Sequence, residues 1–124
     1  ALGDCCLFCE VGDQLERSFP LTSADDFTTR PILVPSNHRL YEDFGPQVIR
    51  ATGPWHPEVR LTLMSDAVAA WYFVHRESER GDALRKAVER VGRRAVRDIV
   101  EEERDGGRMR NDDVAILTLE WADR

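Results

Sequence analysis

The stretch Val59-Arg60-Leu61-Thr62-Leu63-Met64-Ser65-Asp66-Ala67-Val68-Ala69-Ala70-Trp71-Tyr72-Phe73-Val74-His75 decides the reading of the fold, because it joins a strand, a cap and a helix in one run. Val59, Leu61 and Leu63 alternate with Arg60 and Thr62, the period-two pattern of a strand with one buried face. Ser65 and Asp66 follow, and both residue types favour a helix N-cap, where a side-chain oxygen accepts from an otherwise unpaired N–H. From about Ala67 to His75 the chain is apolar almost all round, through Val68, Ala69, Ala70, Trp71, Phe73 and Val74. A helix of that kind belongs in a core.

Downstream, Leu84, Ala87, Val88, Val91, Gly92, Ala95, Ile99 and Val100 recur at three- and four-residue steps, which predicts a second helix over roughly Asp82 to Glu103. Its other face carries Arg85, Lys86, Glu89, Arg93, Arg94 and Arg97, and Asp105-Gly106-Gly107 supplies its stop. Asn111-Asp112-Asp113 then leads into a strand predicted over Val114 to Trp121. Upstream, residues 1–20 read as a β-hairpin: an apolar run from Leu2 to Val11, turn chemistry at Gly12-Asp13, then Leu15 and Phe19. Between them, residues 21–57 hold five of the six prolines and read as an irregular segment, with short extended pieces at Ile32-Leu33-Val34 and Gln47-Val48-Ile49. The expected architecture for residues 1–124 is therefore α+β: hairpin, irregular segment, then strand-helix-helix-strand over 58–124, an antiparallel sheet with two helices packed on one face.

Composition narrows the function. Hydrophobic residues make up 42% of the chain, enough for a core, so wholesale disorder is excluded. A formal net charge of −6 argues against a nucleic-acid partner, which rewards a concentrated basic patch; the arginines from Arg76 to Arg97 are interleaved with acids and read as a solvated face. No apolar run reaches the roughly 18–20 residues of a membrane span. Three cysteines, an odd number, with no secretory leader fit a reducing cytoplasm. The apolar opening Ala1-Leu2-Gly3, without a methionine, predicts a domain cut from a longer protein.

The candidate chemistry sits in carboxylates. Asp66 falls at the C-terminal end of one predicted strand, and Asp112-Asp113 just before the start of another. If the two strands are antiparallel neighbours, these carboxylates meet at one edge of the sheet, where they repel unless a cation neutralises them. An all-oxygen donor set suits Mg²⁺ or Mn²⁺, and a metal-activated water there is a nucleophile for a phosphate ester. On patterning alone a plainer account comes first, with Ser65-Asp66 as a helix cap and Asp112-Asp113 as a turn.

Three motifs shift that balance. Gly3-Asp4-Cys5 resembles the G-D-S motif of type 2C metal-dependent protein phosphatases, Leu63-Met64-Ser65-Asp66-Ala67 resembles their apolar strand ending in S/T-D-G, and Asn111-Asp112-Asp113-Val114-Ala115-Ile116-Leu117 resembles their closing D-N/D-x-T/S strand. All three stand in the family's order, and the resemblance spans essentially the whole chain. It implies half of an αββα sandwich, the C-terminal part of the phosphatase domain. It also implies a two-metal Mg²⁺ or Mn²⁺ site, partly supplied from outside this chain, with Asp66 and Asp112 as ligands and Asp113 beside them. Gly3 and Asp4 correspond to a structural, hydrogen-bonding position. The implied activity is hydrolysis of phosphoserine or phosphothreonine in a phosphoprotein substrate.

The chain departs from the family at Ala67, Ala115 and Cys5, which replace glycine, threonine or serine, and serine respectively. It also has no D-G-x-G-G-like segment, which in the family supplies an aspartate bridging both metals, and it lacks the half that carries the phosphate-gripping arginine. The expectation is a phosphatase when complete and an inactive fragment alone, partnered by the missing N-terminal half, by another chain, or by copies of itself as an oligomer. The alternative is a catalytically degenerate phosphatase-like interaction module.

Other features have duller explanations. Cys5, Leu7 and Cys9 share a strand face and read as small core residues rather than metal ligands, and Trp71 and Trp121 read as core. His38, His56 and His75 lack the partner spacing of a zinc site; His75 reads as a cation near a helix C-terminus, His38 and His56 fall in the irregular segment, and Trp55 is not placed by the pattern.

Overall fold

Alternation along the first strand sets which face of the sheet meets the helices. In the computed structural model, which describes residues 5–28, 37, 39, 49–53 and 57–121, strand β1 spans Cys6–Val11 and buries Cys6, Phe8 and Glu10 while Leu7, Cys9 and Val11 stay half-buried. The chain reverses through Gly12 and Asp13 into β2, Gln14–Phe19. Gly12 has φ 58°, the left-handed geometry that a two-residue hairpin turn asks of its first central residue. A bulge between Cys9 and Glu10 shifts the hairpin register.

Strand β3, Val59–Met64, lies antiparallel to β1, with Cys6 opposite Met64 and Val11 opposite Val59. Strand β4, Ile116–Leu119, lies antiparallel to β3, with Met64 opposite Ile116 and Leu61 opposite Leu119. The sheet order is β2-β1-β3-β4. Helix α1 is Asp66–His75, α2 is Glu79–Lys86 and α3 is Arg93–Asp105, with a π-helical turn over Ala87–Val91 between the last two. The core joins Cys6, Phe8 and Met64 of the sheet to Val68, Ala69, Trp71 and Tyr72 of α1, Leu84 of α2, Val100 of α3 and the following Met109. Helices on one face of an antiparallel sheet is the α+β arrangement expected from the element order. Among the described residues no helix is long and apolar enough to cross a membrane.

Two buried carboxylates lock the helices in place. Glu10 accepts a 2.5 Å hydrogen bond from the Tyr72 hydroxyl, and bonds of 3.3 and 3.2 Å from Nε and Nη2 of Arg60. Burial, followed by this bond to Glu10, pushes the Tyr72 phenol up to about 12. Glu103 accepts from Arg108 Nε at 2.7 Å, from Trp71 Nε1 at 2.9 Å and from Arg80. Arg108 above all holds the Glu103 carboxyl down to about 2.

The opposite face of the sheet is also apolar. Register aligns Leu7, Leu63 and Leu117 in one row and Cys9, Leu61 and Leu119 in the next. Leu117 and Leu119 are each more than half exposed.

Several sequence expectations need correction. The single helix over Asp82 to Glu103 starts earlier, behind Ser78, and breaks at Gly92. Gly92 sits at φ 99° and ψ −173°, a conformation open essentially to glycine alone, so the helical stripe is carried by two helices instead of one. The face shared by Cys5, Leu7 and Cys9 is not the core face; Cys6 is the buried cysteine. Trp71 is core, 2% exposed, but Trp121 lies beyond the end of β4 and is 58% exposed. Strand β4 is shorter than Val114 to Trp121: it runs from Ile116 to Leu119, and the N–H of Ala115 before it bonds to the Ser65 side chain instead of to backbone. Gly3 and Asp4, the extended piece at 32–34, His38, Trp55 and His56 lie outside the described residues.

Candidate functional site

Ser65 is where β3 ends and α1 begins, and it is the N-cap of that helix, yet its side chain makes no capping bond. Instead Ser65 Oγ donates to the Asp113 carbonyl at 3.0 Å and accepts from the Ala115 N–H at 3.0 Å. Its own N–H donates to the Ala115 carbonyl at 3.0 Å, adding one rung to the β3–β4 ladder. One hydroxyl thus gives up a local cap to hold the turn before β4 against the end of β3. The antiparallel pairing that would bring Asp66 and Asp112-Asp113 to one edge is present, and Ser65 is the hinge pin of that edge.

The three predicted carboxylates are placed differently. Asp66 opens α1; its Oδ1 accepts from the Ala67 N–H at 2.7 Å, and its Oδ2 accepts from Arg110 Nη2 at 2.8 Å. The Asp66 side chain is 16% exposed and that of Arg110 49%, so the pair is half in water. Asp112 is exposed, and its Oδ1 accepts from the N–H of the next residue, Asp113, at 2.8 Å, while its carbonyl accepts from Arg104. Asp113 is exposed and its carboxylate forms no ion pair with the described residues.

Arg110, Arg104 and the Oγ of Ser65 escaped the sequence reading. Arg110 stands only two residues before Asp112, and an arginine beside an acidic turn was the available signal; helical or strand periodicity says nothing about residues between elements. Arg104 was hidden because it falls past the predicted helix end.

The donor chemistry at this edge is all oxygen, which suits a hard cation that keeps several waters. Asp66 and Asp112 would be its ligands, with Asp113 adjacent, and Arg110 would have to give up Asp66 Oδ2. Among the described residues no group of three or more His, Cys, Asp or Glu gathers closely enough to hold a metal ion. A second feature adjoins the edge. A groove of about 610 Å³ runs between α3 and the Asp113–Ile116 segment, floored by Val96, Val100 and Ile116 and lined by Arg93, Arg97 and Arg104. Comparison of the chain with protein-family models, curated proteins and solved structures gives no match.

Proposed function

We propose that this chain is the C-terminal part of a type 2C-like metal-dependent phosphatase domain that hydrolyses phosphoserine or phosphothreonine in phosphoproteins when complete. The observation that carries this reading is the pair of hydrogen bonds at Ser65 Oγ, donated to the Asp113 carbonyl and accepted from the Ala115 N–H, which ties the S-D segment to the N-D-D segment at one sheet edge. Two motifs that are far apart in sequence are held side by side by a residue belonging to one of them. In this proposal Asp66 and Asp112 are ligands to Mg²⁺ or Mn²⁺, Asp113 flanks them, and at least one more carboxylate comes from outside the chain. When bound, such ions supply Lewis acidity toward the phosphoryl oxygens and activation of water. This chain's own residues position them: Ser65 fixes the edge, and the bond from the Asp113 N–H to Asp112 Oδ1 sets the direction of that carboxylate.

The open apolar face supports the half-sandwich part of the proposal. Rows of leucine on the side away from the helices suit a second sheet packed face to face, as in an αββα arrangement, supplied by the N-terminal half, a partner chain or another copy. Among the described residues no disulfide is formed, which is in keeping with a cytoplasmic setting.

One observation favours a second reading, a metal-free interaction module: the Arg110 guanidinium already neutralises Asp66. Mn²⁺ titration by calorimetry, on this chain and on any longer polypeptide that contains it, separates the two. The phosphatase reading expects Asp66→Asn or Asp112→Asn to abolish binding and Arg110→Ala to strengthen it, since the competing cation is gone. No Mn²⁺ binding by either protein, with Arg110→Ala equally silent, would sink it in favour of the module.

A further inference from the structure

We infer that the groove between α3 and the edge of β4 is a docking site for an extended acidic peptide that adds a strand to the sheet. This inference is independent of the phosphatase reading, since no metal or phosphoryl chemistry enters it.

Strand β4 closes the sheet on one side and pairs only with β3 among the described residues. Ala115 turns both its N–H and its C=O inward to Ser65. In an antiparallel ladder the inward and outward pairs alternate, so Leu117 and Leu119 follow Ala115 inward, and Ile116 and Thr118 present their N–H and C=O groups outward. An edge with free backbone groups is a template for another strand.

The wall beside that edge selects what could add. Arg93, Arg97, Val100 and Arg104 lie four, three and four residues apart along α3, so they form one stripe, and it faces the groove. Arg93 and Arg97 are exposed and form no ion pair with the described residues. Arg104 donates to the Asp112 carbonyl and also lines the groove, and among the described residues its buried Nε has no hydrogen-bond partner. Three arginines against one acid, Asp113, make this groove cationic on a chain whose formal net charge is −6. Its floor is Val96, Val100 and Ile116. An added strand points every second side chain the same way. Carboxylates on the α3 side would reach Arg93 and Arg97, and the alternate, apolar side chains would extend the leucine face at Leu117 and Leu119. Nucleic acid is disfavoured, because the charge is confined to one narrow stripe.

The test is fluorescence anisotropy with a labelled short peptide alternating valine and glutamate, against a matched valine–lysine peptide. The acidic peptide is expected to bind and the lysine peptide not. Arg97→Glu, an exposed position that carries no structural bond, should weaken binding by about tenfold or more. Thr118→Pro removes an outward N–H and leaves the β3 backbone ladder intact, losing only the 3.5 Å hydroxyl contact with Thr62, and it should abolish binding while the far-ultraviolet circular dichroism stays unchanged. Hydrogen exchange should show new protection at Ile116 and Thr118 when the peptide is present. Equal binding of both peptides, no binding of either, or affinity indifferent to Arg97→Glu and Thr118→Pro would each overturn the inference. Concentration-dependent self-association of the chain alone, lost in Arg97→Glu, would put a second copy in the groove and overturn it equally.

Discussion

Replacing Glu103 by glutamine changes one atom, yet it removes the charge on which α1, α2 and the turn after α3 converge. The carboxylate is 4% exposed at its side chain and accepts from Trp71 on α1, Arg80 on α2 and Arg108 beyond α3. Its carboxyl is held down to about 2 from an ordinary 4.5. At ~1.4 kcal/mol per unit, that displacement sets a ceiling of roughly 3 kcal/mol on the charge-dependent stabilisation. Arg80 and Arg108 are 44% and 33% exposed at their side chains, so water screens part of it. We expect Glu103→Gln to destabilise the fold by about 2 kcal/mol at pH 7. Because the folded-state value lies below the unfolded one, the contribution is complete above the unfolded value and fades as pH falls toward about 2. Urea denaturation of wild type and variant at a series of pH values reads this directly. The stability gap should be full at pH 7, shrink below about pH 5 and be largely closed near pH 2. A gap that stays constant over that range, or one under about 0.5 kcal/mol at pH 7, would show that Glu103 acts through packing and not through its charge.

Two further outcomes are expected. Ser65→Ala should cost about 1 kcal/mol in chemical denaturation and speed amide exchange at Ala115, since that N–H loses its acceptor; unchanged exchange would mean that backbone pairing alone holds the edge. Gly92→Ala should cost about 1–3 kcal/mol in the same denaturation assay, because no L side chain sits comfortably at φ 99° and ψ −173°, and a neutral result would show that the α2–α3 break can relax into continuous helix.

What could be seen in the sequence was set by periodicity. The hairpin with its Gly12 turn, strand β3 and helix α1 lie within a residue or two of their expected limits, because alternation and an apolar helical run are local signals. The break at Gly92 was not legible: the apolar stripe continues across it in register, and only the backbone angle shows that one helix is two. The cysteine face was misassigned for a related reason. Leu7, Cys9, Leu61 and Leu63 are as apolar as Cys6, Phe8 and Met64, so alternation marks two faces without saying which one meets the helices. Glu10 is the reverse case, a buried carboxylate in a strand, explicable only once Tyr72 and Arg60 arrive from elsewhere. The same limit governed the candidate edge: Asp66, Asp112 and Asp113 were readable as motif residues, whereas Arg110 and the changed role of Ser65 depend on which turn packs against which strand end.

Whether Arg110 closes the edge to a metal is a question of magnitude. The Asp66 carboxylate needs a counter-charge, and the two functional readings differ only in which cation provides it. With the Arg110 side chain 49% exposed and that of Asp66 16%, the pair is a partly solvated surface ion pair. Pairs of that kind contribute up to about 1 kcal/mol, which corresponds to less than a tenfold reduction in the affinity of a competing ion. A divalent cation held by two or more carboxylates brings twice the charge of a guanidinium and displaces it readily once a third ligand arrives. With Asp66 and Asp112 alone, and no third carboxylate gathered among the described residues, the same competition is close to even. On the proposed phosphatase reading, Arg110 is a placeholder whose removal gains less than tenfold in Mn²⁺ affinity, and a carboxylate from outside this chain decides whether the ion binds at all.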